Sequence, residues 1–264
     1  MIEAEKRTYE HILFEADGPI ARVTMNRPDK RNALSLAHMQ ELTDCLKAIG
    51  EAREAHIVIL AGNGPAFCAG HDLSELIGRN PETYRHIFDV CCELMETVQA
   101  IPQPVIAKVH GVATAAGCQL AATCDLIVAA EEARFATPGV KIGLFCSTPM
   151  VALSRAVGQK KSMEMLLTGD FISAEDALAE GLVNRVVPAE ELEAETRKLA
   201  EKIGDASPLV VGVGKQAFYR QIEMPVEQAY AYTKEIMSFN ASFADAQEGM
   251  CAFLEKRMPE WKGK

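Results

Sequence analysis

Apolar and polar side chains alternate over residues 11–14 and 20–25, on either side of an ADGP turn. A period of two puts one face of a strand against a core, so this stretch predicts a hairpin or two neighbouring strands. The polar, proline-containing NRPDKRNAL that follows predicts a loop. Apolar residues then recur at helical spacing over 36–49, and HIVILAG at 56–62 is a buried-strand pattern ending in glycine.

The same order returns twice. The loop GPAFCAGHDL leads to a helix over 85–100 and the strand VIAKVHG at 105–111. The small-residue segment ATAAGCQLAATCD, read as a helix, leads to the strand LIVAA at 126–130. Strands alternating with helices predict an α/β fold with a mainly parallel sheet and helices packed outside it. Further on, Ser173 and Asp176 make a capping-box-like helix start, and GLVNRVVP supplies one more short strand. From about residue 190 only amphipathic helical segments remain, running to 256. The expected division is a core over residues 1–200 and a helical, oligomer-forming region over 201–264. No sequence repeat or flexible linker interrupts it.

Composition narrows the functional classes. With 264 residues, 48% hydrophobic and 24% charged, the chain has the make-up of a globular domain with a sizeable core. A net charge of −10 opposes a nucleic-acid role, which depends on clustered Lys and Arg. The start, MIEAEKRTYEH, has three glutamates and no apolar or Arg/Ser-rich leader pattern. No apolar run approaches the roughly 20 residues that cross a bilayer. These features lead to the expectation of a cytoplasmic protein without membrane contact. The eight cysteines show no metal-ligand spacing and are expected as reduced, buried thiols.

Two loops carry the candidate chemistry, because glycine and alanine crowd where a strand gives way to a helix. In GPAFCAGHDL, Gly70 permits a tight turn that leaves the His71 amide free; in HGVATAAGCQL, residues 115–117 start another helix. Two such amides aimed at one point would form an oxyanion hole for a thioester enolate or tetrahedral oxyanion. Small residues at such turns equally serve close packing, and composition does not decide between the two.

The order and separation of these loops resemble the crotonase, or enoyl-CoA hydratase/isomerase, superfamily. The resemblance spans nearly the whole chain: NRPDKRNAL, FCAGHDLSEL, PVIAKVHGVATAAGCQLAATCDLIVAA, ATPGVKIGL, AVGQKKSMEMLLTGDFISAEDALAEGLVNRVVP and EGMCAFLEKRMPEW. It implies a spiral of ββα units with C-terminal helices that build trimers, commonly paired into hexamers. It implies an acyl-CoA substrate, with coenzyme A entering as part of the substrate and no separate cofactor or metal. The His71 and Ala116 amides match the family's oxyanion-hole donors. Arg31, Ala33 and Leu34 with Ala69, Gly70, Asp72 and Leu73 resemble its CoA-binding edge, and Gly117 belongs to the second donor loop. Phe253 and Lys256 resemble tail residues that approach the CoA of a neighbouring subunit.

The pattern fails at two positions. Family hydratases hold water between two carboxylates, but this chain has Gln119 in GCQL and Gly139 in TPGV. Glutamine takes no proton near neutral pH and glycine has no side chain. With each acid/base group giving about 10²–10⁴ in rate, hydration is expected to fall close to background. The combination of ATAAGCQL with TPGV and GLFCSTP is similar to one branch of the superfamily, the enoyl-CoA hydratase domain-containing protein 3 group. Its better known members are mitochondrial and linked to lipid metabolism; this chain lacks their targeting segment, which suggests a bacterial or mature form. The GHD sequence at His71 also resembles family decarboxylases, leaving decarboxylation, thioester hydrolysis and non-catalytic acyl-CoA binding as alternatives. Asp72 reads as a helix cap, Glu75 as a weak candidate at the cleft mouth, and Cys146 and Ser147 as nucleophiles with no visible base.

Overall fold

The computed structural model describes residues 8–264. Part of the leader expectation falls on residues 1–7, outside the described residues. The first two strands are the predicted hairpin, β1 (Ile12–Asp17) and β2 (Ile20–Met25), paired antiparallel with Ile12 opposite Met25. Helix α1 (Leu36–Ala52) starts at Ser35, whose Oγ accepts the His38 N–H. Strand β3 (Ile57–Gly62) then joins β2 in parallel.

From here each strand is followed by a second, very short one. The pairs are β3 with β4 (Ala66–Cys68), β5 (Val105–Val109) with β6 (Val112–Thr114), and β7 (Leu126–Ala130) with β8 (Arg134–Ala136). Helix α2 (Pro81–Ala100) follows β4, and α3 (Ala116–Thr123) follows β6. After β8 come α4 (Pro149–Ala156), α5 (Gln159–Thr168), β9 (Ile172–Ser173), α6 (Ala174–Ala179) and β10 (Arg185–Val187). The longer strands form a six-stranded sheet ordered β1-β2-β3-β5-β7-β10; the short ones form a four-stranded sheet ordered β4-β6-β8-β9. The sequence pattern predicted the larger sheet and missed the smaller one.

The central strands β3, β5 and β7 are buried on both faces, in keeping with their nearly continuous apolar runs. Val58, Leu60, Val105, Ala107 and Ala129 point into the main core with α1 and α2. Ile57, Ile59, Ile106 and Val128 point the other way, onto Leu192, Leu199 and Ala200 of α7 (Leu192–Gly204). The expected boundary at residue 200 therefore falls inside a helix that covers the sheet.

The chain ends in α8 (Pro208–Gln221), α9 (Val226–Asn240) and α10 (Ala244–Glu255). Helix α8 is pinned by Lys215, whose Nζ lies 2.8 Å from Asp125 Oδ2 and donates to the carbonyls of Val98 and Gln103. The Tyr219 hydroxyl donates to the other Asp125 oxygen at 2.8 Å.

Candidate active site

The first donor loop runs beside residues 31–34. Ala69 N–H donates to Arg31 O at 3.0 Å, Leu34 N–H to Gly70 O at 2.8 Å, and Asp72 N–H to Leu34 O at 3.0 Å. Bonds from the residues on either side leave the His71 N–H turned away from this ladder, without an acceptor among the described residues. Gly70 makes the turn at φ +93°. A Cβ on it would stand 2.9 Å from Ala115 Cβ and 3.3 Å from Ala116 N, so the two donor loops touch.

In the second loop Ala115 has φ 50° and ψ −120°, a conformation that costs an alanine about 1–3 kcal/mol. Its own N–H is held by Ala136 O at 2.9 Å. Ala116 opens α3, where a first-turn amide has no partner within the helix. Gly117 backs the turn, buried against Cys68 of β4. Two residues whose amides find no acceptor among the described residues, His71 and Ala116, thus border one cavity, the second directly after the strained Ala115.

That cavity measures about 520 Å³. Of the residues named from sequence, Ala69, His71, Leu73, Ala116, Gly139, Cys146 and Ser147 line it. Arg31, Ala33, Leu34, Gly70, Asp72 and Gly117 are not part of its walls. Gln119 is buried on α3, one turn beyond Ala116; it is not a wall residue, and its Oε1 has no partner. Phe253 and Lys256 lie at the end of α10, exposed and away from the walls. Among the described residues no Asp or Glu lines the cavity.

The titratable neighbours are held in one state each. Burial pushes His71 down to about 4, so its imidazole is neutral at neutral pH; the Leu34 carbonyl offsets part of this without reaching hydrogen-bond geometry. The ring packs edge-on against Phe88, centroids 5.4 Å apart. Asp72 caps the 3-10 turn at Leu73–Glu75 and bonds Ser74, which lowers its pKa together with Arg27, 3.1 Å away. Glu75 is not at the cleft mouth: its Oε2 accepts the Leu36 N–H at 2.8 Å, capping α1. Burial raises the Cys146 thiol, keeping it protonated. Six of the eight cysteines are buried, whereas Cys92 is half-buried and Cys251 exposed. Among the described residues no His/Cys/Asp/Glu group suits a metal ion, and no helix is long and apolar enough to cross a membrane.

Sequence reasoning did not foresee what surrounds Gly139. A Cβ there would meet Leu144 O at 2.0 Å and Cys146 Sγ at 2.8 Å, and the Gly139 N–H donates to that sulfur at 3.3 Å. The turn after residue 142 fills the space a side chain at 139 would need. Its only signal in the sequence is the aperiodic apolar run IGLFC.

A six-stranded and a four-stranded sheet built from alternating long and short strands, with helices following the short ones, define a crotonase-fold protein. The sequence profile of the enoyl-CoA hydratase/isomerase family matches residues 15–264, and the chain belongs to that family. It is 47% identical over 250 residues to enoyl-CoA hydratase domain-containing protein 3, mitochondrial, of Xenopus laevis, covering 94% of this chain and 85% of that protein. The protein of the same name from Homo sapiens is 45% identical over 248 residues, covering 94% and 82%. The crystal structure of the human protein superposes with a TM-score of 0.93 at 43% identity, covering 96% of this chain and 100% of that one. A Mycobacterium smegmatis enoyl-CoA hydratase structure gives 0.94 at 48% identity, covering 96% and 99%. The mitochondrial names of the frog and human relatives overturn the expectation of a cytoplasmic location.

Proposed function

We propose that this protein binds an acyl-CoA thioester and polarises its carbonyl with the backbone N–H groups of His71 and Ala116, acting as a lyase or isomerase of lipid metabolism. The observation that carries the reading is the pair of unpaired amides on touching loops, both at the wall of one cavity. Donors aligned before the reaction stabilise developing negative charge without reorganisation. Arg31, Ala33, Leu34 and Asp72 would hold the CoA along the outer edge of these loops, and Phe253 and Lys256 would meet the CoA of a neighbouring copy in a trimer or hexamer. Gln119 would orient substrate from behind the wall, and Gly139 would serve the turn that packs on it. Coenzyme A is part of the substrate, and no further cofactor is needed.

A second reading, a non-catalytic acyl-CoA binder, is favoured by the absence of any carboxylate in the cavity wall. His71 is a poor proton donor for a decarboxylase or thioesterase, because its ring carries no charge at neutral pH. Infrared spectroscopy of carbonyl-labelled butyryl-CoA tests the shared premise. Bound ester is expected to show a thioester C=O stretch below its value in water, and Gly70→Ala, which crowds Ala115 and Ala116, to reduce that displacement. Butyryl-CoA that binds with an unshifted carbonyl sinks the oxyanion hole. Turnover of crotonyl-CoA then separates enzyme from binder.

A further inference from the structure

We infer that residues 142–149 are the wall that selects the acyl group, locked in place on Gly139, with Phe145 setting the length of hydrocarbon chain accepted. The inference rests on the acyl-CoA reading above. All of these residues except Gly143 line the cavity that the His71 and Ala116 amides border. The segment is tied down from both sides: Leu144 N–H donates to Gly139 O at 3.0 Å, and Gly139 N–H donates back to Cys146 Sγ at 3.3 Å. Met150 N–H then bonds Cys146 O at 3.0 Å, handing the turn to α4. A wall fixed by its own main chain discriminates by shape, because it does not open to fit a longer guest.

Its chemistry specifies a hydrocarbon. Ile142, Leu144 and Phe145 present apolar side chains, and the one cation among the lining residues, Lys141, pairs at the surface with Asp170 at 2.6 Å. An acyl group ending in a second carboxylate would lose its hydration against the apolar side chains and have to compete with Asp170 for Lys141. Phe145 is the bulkiest side chain of the segment. It is 40% exposed, so truncating it enlarges the site without emptying the core.

Titration calorimetry with butyryl-, octanoyl- and succinyl-CoA tests this on the wild type, Phe145→Ala and Phe145→Trp. Phe145→Ala is expected to move the octanoyl-to-butyryl affinity ratio upward by about tenfold, and Phe145→Trp to move it downward. Succinyl-CoA should bind more weakly than butyryl-CoA throughout. A ratio common to all three proteins, or tighter binding of succinyl-CoA, overturns the inference while the acyl-CoA reading stands. Failure of the wild type to bind any of the esters overturns both.

Discussion

Burial holds the imidazoles of His38 and His71 near pKa 4, against 6.5 for a free ring, so folding depends on keeping both neutral. Above pH 6.5 neither the folded nor the unfolded chain protonates them, and their contribution to stability is complete. As pH falls from 6.5 towards 4 the unfolded chain takes up protons that the folded one resists, so stability declines. The loss approaches about 2 kcal/mol per ring by pH 5. The urea midpoint is therefore expected to drop between pH 7.5 and 5, and His38→Phe should flatten that drop; a slope untouched by the substitution would refute it. The sequence made the His71 amide legible, because glycine precedes it at a strand-to-helix turn. It hid the ring's charge state, which is set by residues such as Phe88 that are distant in sequence.

Elements were legible in proportion to their length. The capping box of α6 was readable as Ser173 and Asp176, and both reciprocal bonds are formed. Strands β4, β6 and β8 have three residues each, too few to show a period, and were absorbed into loops or neighbouring strands. The family resemblance marked Gly139 as the place of a missing glutamate, and the turn packed on it, which has no period of its own, was not foreseen. Because the atom opposing a Cβ there is a main-chain oxygen, Gly139→Ala is expected to cost about 1–3 kcal/mol in urea denaturation. Gly139→Glu should cost more and should not create crotonyl-CoA hydration. A fully stable Gly139→Glu variant would show that the turn yields more easily than its bonds imply.

At the scale of the molecule, the α/β class and the larger sheet followed from periodicity, whereas the convergence of separate loops on one cavity was legible only through the family resemblance. The last helices leave an apolar surface in the single chain: Phe218, Tyr230, Phe253 and Leu254 are each more than half exposed. Exposed apolar side chains of this kind fit the proposed assembly with further copies of the chain. Light scattering is expected to give a mass three or six times the 28.7 kDa of one chain, and Phe253→Glu with Leu254→Glu to lower it. A wild-type monomer would remove the oligomer from the proposal.

The clasp between Lys215 and Asp125 bears on how the chain may be cut. Asp125 stands just before β7, largely buried and accepting the Val105 N–H, yet its counter-charge and its hydroxyl donor both come from α8. A protein truncated after α7 would keep that carboxylate in place with its cation gone, a defect costing about 3–5 kcal/mol for a buried pair. The C-terminal helices are accordingly expected to melt with the core in one transition, and a seam placed between them would cut through these bonds.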